Sequence, residues 1–186
     1  MEINSGQCNN IFFGDMGFLN ISKNQLFSFL SNNFLKKGFC IHFIAVSSIN
    51  EILSNYELQK MISNDLLICD SKPLSLILRI QNRNFRQIRG TDFLRYTILH
   101  DAGEMKHFFI GTNQENLNQL IHKARQINSN ICIVGTIAPN YAESFSDVYK
   151  DWALNIKISK ANVIWIGLGS PKQDVVGHEI TALTGI

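Results

Sequence analysis

The sequence has few prolines, few charges and no long apolar run, and each of these absences excludes a class of protein. Only 3 of the 186 residues are proline and 17% are charged, while 45% are apolar, which excludes a disordered chain. No apolar stretch approaches the roughly 20 residues that cross a bilayer. The first ten residues, MEINSGQCNN, lack the basic and apolar segments of a signal peptide. We therefore expect a globular chain with one domain over residues 1–186.

The cysteines and histidines also lack the spacing of known metal motifs. Cys8, Cys40, Cys69 and Cys132 form no C-x-x-C pair, and the last three lie in or beside apolar runs, where cysteine behaves as a small hydrophobe. The five histidines form no H-E-x-x-H or H-x-H motif, so we interpret them as structural or surface residues. We expect no zinc site and no disulfide framework, and a reducing cytosol fits this cysteine usage.

The charge pattern argues against nucleic acid as a partner. The net charge is only +2, and the sequence contains no dense run of lysine and arginine. The 13 phenylalanines are scattered through apolar segments and do not alternate with basic residues, as aromatic residues do in many nucleic-acid-binding surfaces.

Short apolar runs alternate with amphipathic helical patterns along the chain. The alternation favours βαβ units and an α/β fold with a mainly parallel sheet. The predicted strands are a strand or hairpin over residues 10–19 and single strands at 39–46, 66–69, 106–110, 131–134 and 163–166. The predicted helices start near residues 22, 51, 72, 90, 114 and 141.

The stretch Asn162–Asp174, NVIWIGLGSPKQD, reads as a buried strand, a tight glycine turn and a new helix. It presents Lys172 and Gln173 at its tip, where open α/β sheets bind ligands. A plain connection between a strand and a helix is the alternative interpretation.

Small or polar residues follow the other central strands as well. In a parallel sheet the carboxyl ends of the strands lie along one edge, so we expect these residues to converge on one site. They are Ser48 and Asn50, Asp70, Gly111 and Thr112, and Gly135 and Thr136.

Asp70 is the most informative of these residues, and two interpretations remain open. It either caps the following helix or acts as a general base whose pKa a partly dry site raises. Asp92 has the same ambiguity. Arg86 and Arg89, with Arg83 and Lys172, either bind an anionic ligand such as a diphosphate or form a solvated basic surface. The sequence contains no G-x-G-x-x-G, P-loop or G-x-S-x-G motif.

The ordered set of motifs resembles the WecG/TagA/CpsF glycosyltransferases, glycosyltransferase family twenty-six. That family carries, in this order, a T-x-N segment, a D-G after a strand, a G-x-D helix start and a G-x-P-K-Q-E loop. The resemblance covers roughly residues 10–178. The matching segments are Ser48-Ile49-Asn50, Asp70, Arg89-Gly90-Thr91-Asp92, Gly111, Gly135 and Gly169-Ser170-Pro171-Lys172-Gln173-Asp174.

The resemblance implies a Rossmann-like fold with helices on both faces of the sheet and an inverting sugar transfer. The donor would be a UDP-sugar carrying an N-acetylmannosamine-type sugar or a hexose, and the acceptor a polyprenyl-diphosphate-linked sugar. Such enzymes build cell-surface polysaccharide or teichoic acid and act as peripheral proteins at the cytoplasmic face of the bacterial membrane.

The resemblance also implies roles for individual residues. Asp70 matches the proposed base that deprotonates the acceptor hydroxyl. Arg86 and Arg89 bracket the position of the family arginine, and the resemblance does not choose between them. The other positions implied to contact substrate are Ser48, Asn50, Asp92, Gly111, Gly135, Gly169, Lys172 and Gln173.

This chain departs from the family pattern in three places. The family D-G is Asp70-Ser71, and the family K-Q-E ends here in Asp174. Family members continue past the loop to a basic C-terminal extension, which we expect to be missing. A non-catalytic nucleotide-sugar-binding remnant is therefore the alternative function. Because the sequence has no D-x-D motif, we expect no obligatory divalent metal and no cofactor. Formation of a homo-oligomer stays open.

Overall fold

The computed structural model describes residues 10–36, 38–111, 113–139 and 145–186. Within these ranges the chain forms two compact units, one of residues 10–32 and 39–93 and the other of residues 33–38 and 94–186. The architecture is an α/β Rossmann-like fold with two mostly parallel sheets surrounded by helices, which confirms the predicted fold class.

The first unit is built on a four-stranded sheet. Its strands are β1 (Asn10–Phe13), β2 (Met16–Leu19), β3 (Ile41–Ile44) and β4 (Leu66–Cys69). Its helices are α1 (Lys23–Asn33), α2 (Val46–Ser54), α3 (Tyr56–Ile62), α4 (Lys72–Gln81) and the start of α5 (Gly90–His100). The strand order is β1-β2-β4-β3, with an antiparallel β1–β2 hairpin and parallel pairs elsewhere.

Local signals in the sequence explain several of these elements. Gly14 has a φ of 58° in the turn of the hairpin, a conformation that glycine adopts without strain. Ser22 and Gln25 form a capping box at the start of α1, with Gln25 N–H to Ser22 Oγ at 3.3 Å and Ser22 N–H to Gln25 Oε1 at 3.0 Å. Phe18 and Leu26 are fully buried, so strand and helix contribute to the core of this unit.

Strand β3 is shorter than the predicted strand at 39–46, because α2 begins at Val46. The hydroxyl of Ser71 accepts a hydrogen bond from Val46 N–H at 3.0 Å, which satisfies a helix N-terminal donor directly after the strand. Ser48 and Asn50, which we expected in a loop at the end of the strand, therefore lie in α2.

The second unit is built on a three-stranded parallel sheet. Its strands are β5 (Lys106–Ile110), β6 (Cys132–Ile137) and β7 (Val163–Ile166), and its further helices are α6 (Gln114–Ile127), α7 (Phe145–Ser159) and α8 (Lys172–Thr184). The strand order is β6-β5-β7. One of its core clusters contains Phe108, Ile110, Trp152, Ala153, Ile156, Ala161, Val176 and Ile180.

Strand β6 continues through Gly135 to Ile137, so the prediction that the strand ends at residue 134 was wrong. A Cβ atom on Gly135 would lie 2.4 Å from the ring of Phe108 on β5. The pairing of β5 with β6 shifts its register between His107 and Phe108, close to this contact. The glycine therefore allows two strands to pack closely and does not end one of them. The predicted start of the next helix at Tyr141 lies outside the described residues.

The strands are divided between two sheets, and each unit has its own carboxyl edge. Within the described residues, no helix combines the length and apolar character needed to cross a membrane.

Candidate functional site

Asp70 lies at the carboxyl edge of the first sheet, directly after β4. Its backbone N–H donates to Ile44 O at 2.9 Å, which continues the pairing of β3 with β4. The following loop, residues 82–89, folds back over this strand end. Ile88 N–H donates to Cys69 O at 3.0 Å, and Gln87 Nε2 donates to Asp70 O at 2.6 Å. These bonds bring the start of α5 next to Asp70.

The carboxyl group of Asp70 is half-buried among polar groups from the start of α5. Burial raises its pKa above the usual aspartate value, and the charge of Asp92 acts in the same direction. A hydrogen bond from the backbone N–H of Gly90 and the charge of Arg89 oppose this rise. A carboxylate with a raised pKa beside a cation has the properties of a general base.

One of the two interpretations of Asp70 was that it caps the following helix, α4, and the structure does not show such a cap. The N-cap of α4 is Ser71, and the side chain of Ser71 forms no capping bond to α4. Asp70 instead meets α5, where a carboxylate is favoured by the helix dipole. A Cβ atom on Gly90 would lie 3.2 Å from the ring of Phe43. The small residue therefore lets α5 start against β3.

A cavity of about 410 Å³ opens beside this group in the first unit, within the range of small-molecule sites. Four basic residues line it, together with the capping residue of α1 and Asp92. The full lining consists of Ser22, Lys23, Arg79, Arg86, Gln87, Ile88, Arg89 and Asp92. Asp70 is not among these residues but interacts with two of them, Arg89 and Asp92.

A second cavity of about 350 Å³ shares Ser22 and Arg86 with the first. Its other lining residues are Asn20, Gln25 and Asn84. The backbone N–H of Arg86 donates to Asn20 Oδ1 at 3.1 Å, which fixes the loop at the junction of the two cavities. The described part of this unit therefore offers a polar, basic cleft.

The predicted arginines lie at this cleft, and both Arg86 and Arg89 line the larger cavity. Arg83, which belongs to the same basic loop, lines neither cavity. The sequence reasoning missed Lys23 and Arg79. Arg79 Nε donates to Phe85 O at 3.0 Å, which holds α4 against the loop. No motif points to either residue, although the capping signal at Ser22 could have located the start of α1 near the site.

The strand-end prediction placed both Ser48 and Asn50 at a binding site, but the structure exposes only one of these two side chains. Ser48 is buried, and its hydroxyl donates to Ala45 O at 2.9 Å. Its hydroxyl thus stabilises the first turn of α2. Asn50 is exposed on the same helix. Of these two residues, only Asn50 presents a side chain to solvent.

The loop after β7 forms the carboxyl edge of the second sheet. Gly167 N–H donates to Ile110 O at 2.8 Å, and Gln173 N–H donates to Gly169 O at 2.9 Å. Gly169 has a φ of 83°, and a Cβ atom there would have no neighbour within 4 Å. Lys172 and Gln173 form the first turn of α8, so the predicted strand, glycine turn and helix start are confirmed.

Asp174 stabilises this loop through a side-chain hydrogen bond. Its carboxylate is buried and accepts a hydrogen bond from the hydroxyl of Ser170. Asp174 also lies in the first turn of α8, where a negative charge is favoured. We therefore interpret this residue, the counterpart of the family glutamate, as a structural support of the loop.

Two of the predicted substrate-contacting glycines have packing roles in the second unit. A Cβ atom on Gly111 would lie 2.7 Å from the side chain of Leu117, and Gly135 faces Phe108 inside β6. Gly111 N–H also donates to Ile137 O at 3.0 Å. These glycines allow close packing next to the sheet edge.

The fold, the Asp70 group and the glycine loop agree with a comparison against protein-family models. The model described as glycosyl transferase WecG/TagA/CpsF family matches residues 11–184. No curated protein matches the chain significantly. The family match covers nearly the whole chain and includes every motif that carried the resemblance. The chain belongs to the WecG/TagA/CpsF family of glycosyltransferases.

Proposed function

We propose that this glycosyltransferase transfers a sugar from a UDP-sugar to a polyprenyl-diphosphate-linked sugar, with inversion at the anomeric carbon. The donor sugar would be of the N-acetylmannosamine type or a hexose, and the product would enter cell-surface polysaccharide or teichoic acid synthesis. The observation that carries the proposal is the half-buried Asp70 carboxyl group beside a cavity lined by basic residues.

Asp70 is proposed as the general base. Its raised pKa makes the carboxylate a better proton acceptor than a solvated aspartate, while the N–H of Gly90 holds the charged form in place. A hydroxyl of the acceptor sugar would lose its proton to Asp70 as its oxygen attacks the anomeric carbon. The new C–O bond forms as the bond to the UDP oxygen breaks, and the electron pair leaves with UDP.

The basic residues of the cleft suit the charge that develops on the leaving diphosphate. Lys23, Arg79, Arg86 and Arg89 place four positive charges around a cavity of about 410 Å³. Arginine binds phosphate oxygens in a bidentate geometry, and such charge-assisted bonds are about twice as strong as neutral ones. Fixed donors of this kind stabilise a leaving group without reorganisation during the reaction.

Lys172, Gln173 and Gly169 are proposed as further substrate contacts on the second unit. Lys172 and Gln173 begin α8, a helix of 13 residues, and helix N-termini favour anions. The open space next to Gly169 allows the backbone to approach a ligand closely. Asn50 and Asp92 are retained as proposed contacts in the first unit. The acceptor lipid would place the protein at the cytoplasmic membrane face as a peripheral protein.

The experiment is an assay of UDP release from a panel of UDP-sugars, with a synthetic lipid-diphosphate-sugar as acceptor. Acceptor-dependent UDP release with inverted product stereochemistry supports the proposal, and Asp70→Asn provides the inactive control. The absence of a D-x-D motif leads us to propose that no divalent metal takes part, so the initial rate should persist in EDTA. A strict requirement for Mn²⁺ would contradict that part.

Thermal shift with UDP and UDP-sugars separates catalysis from the alternative function, a non-catalytic nucleotide-sugar-binding remnant. Stabilisation by a UDP-sugar without turnover of any acceptor would favour the remnant. The absence of both stabilisation and turnover would contradict both.

A further inference from the structure

Three potential metal ligands meet at the amino edge of the first sheet, at the opposite end of the strands from Asp70. Cys40 directly precedes β3, His42 lies within β3, and Asp65 directly precedes β4. Their ligand atoms, one sulfur, one ring nitrogen and one carboxylate oxygen, all lie within 4.8 Å of one another. The three residues lie outside the motif segments on which the resemblance to the family rests.

Parallel pairing of β3 with β4 creates this cluster. Ile41 pairs with Leu66, so extending the register by one residue places Cys40 beside Asp65. Leu66 N–H donates to Cys40 O at 3.1 Å, which fixes this alignment at the very start of the two strands. Side chains two residues apart on a strand share a face, so His42 projects on the same side as Cys40.

The separation of the histidine nitrogen and the aspartate oxygen is close to that of two ligands in a tetrahedral metal site. His42 Nε2 lies 3.1 Å from Asp65 Oδ2. Two ligands bound to zinc at about 2.0–2.2 Å in tetrahedral geometry lie roughly 3.4 Å apart. The cysteine sulfur lies within 4.8 Å of both atoms and would move toward the ion to occupy a third corner of the tetrahedron. His42 is 2% exposed, whereas Cys40 and Asp65 are partly exposed and leave a route for an ion.

We infer that Cys40, His42 and Asp65 form a site for a borderline divalent cation, of which Zn²⁺ is the best fit. Thiolate, imidazole and carboxylate together match the ligand preferences of zinc, whereas Mg²⁺ and Ca²⁺ select oxygen alone. Three protein donors leave the fourth position of the tetrahedron for water. The ion would join the starts of two neighbouring core strands and so stabilise the first unit.

This inference departs from the expectation of no zinc site, which relied on spacing along the sequence. Cys40 and His42 are separated by one residue, but Asp65 is 23 residues beyond His42 and reaches them only through strand pairing. The whole of β4 separates Asp65 from Asp70, and five residue steps of about 3.3 Å correspond to roughly 16 Å along the strand. The cation is therefore proposed as a stabilising ion that takes no part in sugar transfer, and the two proposals can fail independently.

Cobalt substitution provides the test, because a thiolate ligand to Co²⁺ gives a near-ultraviolet charge-transfer band and tetrahedral Co²⁺ gives intense visible bands. The full chain without a polyhistidine tag is stripped with a chelator, kept reduced, and mixed with one equivalent of Co²⁺. We expect both sets of bands, their loss when one equivalent of Zn²⁺ is added, and a rise in Tm with Zn²⁺. A wild-type chain that shows neither the charge-transfer band nor zinc-dependent stabilisation overturns the inference.

Single substitutions test which side chains bind the metal ion. Cys40→Ser should remove the charge-transfer band, whereas Cys132→Ser, which changes a part-buried free cysteine in β6, should keep it. Because Cys40→Ser could fail to fold, Asp65→Asn gives a second measurement at a partly exposed position. It should weaken zinc binding by at least about tenfold, the lower range for groups that only support metal ligands. Unchanged zinc affinity in both Cys40→Ser and Asp65→Asn would overturn the assignment.

Discussion

The backbone N–H of Gly90, the first residue of α5, donates a hydrogen bond to the carboxyl group of Asp70, the residue that directly follows β4. The two residues are far apart in the sequence and meet because residues 82–89 fold over the strand end. The bond favours the ionised carboxylate, while burial acts against it, and burial has the larger effect on the pKa. Gly90 therefore stabilises the ionised form of Asp70, but this form is still less favourable than it would be for an aspartate in water.

Replacing Asp70 with Asn should abolish turnover without loss of the fold. Removing a general base lowers the rate by about 10²–10⁴-fold, because the acceptor hydroxyl loses its proton acceptor. The neutral amide also escapes the cost of burying a charge, so we expect a Tm at pH 7 equal to or above that of the wild type. Both are measured by UDP release and thermal unfolding, with Asp15→Asn in the exposed hairpin turn as the matched control.

The same substitution tests the sign of the linkage between pH and stability. The pKa of Asp70 is higher in the folded than in the unfolded chain, so stability falls as the pH rises from the unfolded value through the folded one. The stability gained by Asp70→Asn should therefore appear above about pH 4 and be absent below it. Full activity in this variant would remove Asp70 as the base.

The acid limb of the pH–rate profile should move in opposite directions when the two charged neighbours of Asp70 are neutralised. Asp92 raises the pKa of Asp70 and Arg89 lowers it. Asp92→Asn should therefore shift the acid limb of kcat/KM to lower pH, and Arg89→Gln should shift it to higher pH. Both variants could lose activity for other reasons, so the position of the limb is the measurement. Shifts in the same direction would contradict the assignment of this limb to Asp70.

Arg86→Gln should weaken binding of UDP and raise KM for the donor. A hydrogen bond to a charged group contributes about 1.5–3 kcal/mol, which corresponds to roughly a tenfold or greater loss of affinity. Arg83→Gln changes the same charge in the same loop at a residue that lines neither cavity, so it should leave affinity almost unchanged. Calorimetric titration with UDP measures both, and equal losses would indicate a general effect of charge.

Much of the fold could be predicted from the sequence because its strongest signals are local. β4 has the predicted bounds, and α4 and α6 begin at the predicted residues, since each is a short apolar run or an amphipathic segment with a clear start. The start of α2 was missed because its first N–H is satisfied by Ser71, 25 residues away. Gly135 was read as a strand end because a glycine required by the ring of Phe108 cannot be told from a turn glycine in sequence.

In the candidate site, too, residues with a local sequence signal were predicted and residues that arrive through the fold were missed. Asp70, Arg86 and Arg89 were predicted because motifs mark them, whereas Arg79 enters the cavity from a helix whose sequence carries no motif there. The sequence pattern also could not predict that the strands divide between two sheets. The pattern shows where a strand lies in the chain, but it does not show which strand pairs with it.

Gly135→Ala should destabilise the chain although it adds only one methyl group. The new Cβ would lie 2.4 Å from the Phe108 ring, and overpacking of this kind costs about 1–3 kcal/mol. Gly167→Ala is the matched control, because its nearest atom, Ile110 O, would be 4.0 Å away. Denaturant unfolding measures both free energies. A second substitution, Phe108→Leu, should recover part of the loss in Gly135→Ala, and its failure to do so would contradict the packing explanation.

A buried histidine in the second unit should make the chain less stable in mild acid. His107 Nδ1 accepts a hydrogen bond from Trp165 Nε1 at 3.0 Å, so the proton of the neutral ring lies on Nε2, which is 3.1 Å from Asp101 Oδ2. Asp101 also accepts three backbone N–H bonds from residues 103–105, which ties the ring to the turn before β5. Protonation of Nδ1 would break the bond to the indole.

Burial lowers the pKa of His107, and the hydrogen bond and charge of Asp101 only partly oppose it. The unfolded chain therefore binds this proton at a higher pH than the folded chain, and stability rises with pH in the window between the two values. The contribution is fully present above the unfolded value of about 6.5 and is lost as the pH falls toward the folded value.

We expect Tm to fall between pH 7.5 and pH 5, and the fall to be smaller in Trp165→Phe, which already lacks the indole donor. His122→Gln, at an exposed position on α6, should keep the pH dependence of the wild type. Thermal unfolding across this range measures all three proteins. In Trp165→Phe, Nδ1 of His107 no longer accepts the indole hydrogen bond that competes with protonation. If this variant kept the full wild-type dependence of Tm on pH, protonation of His107 would not be the cause of that dependence.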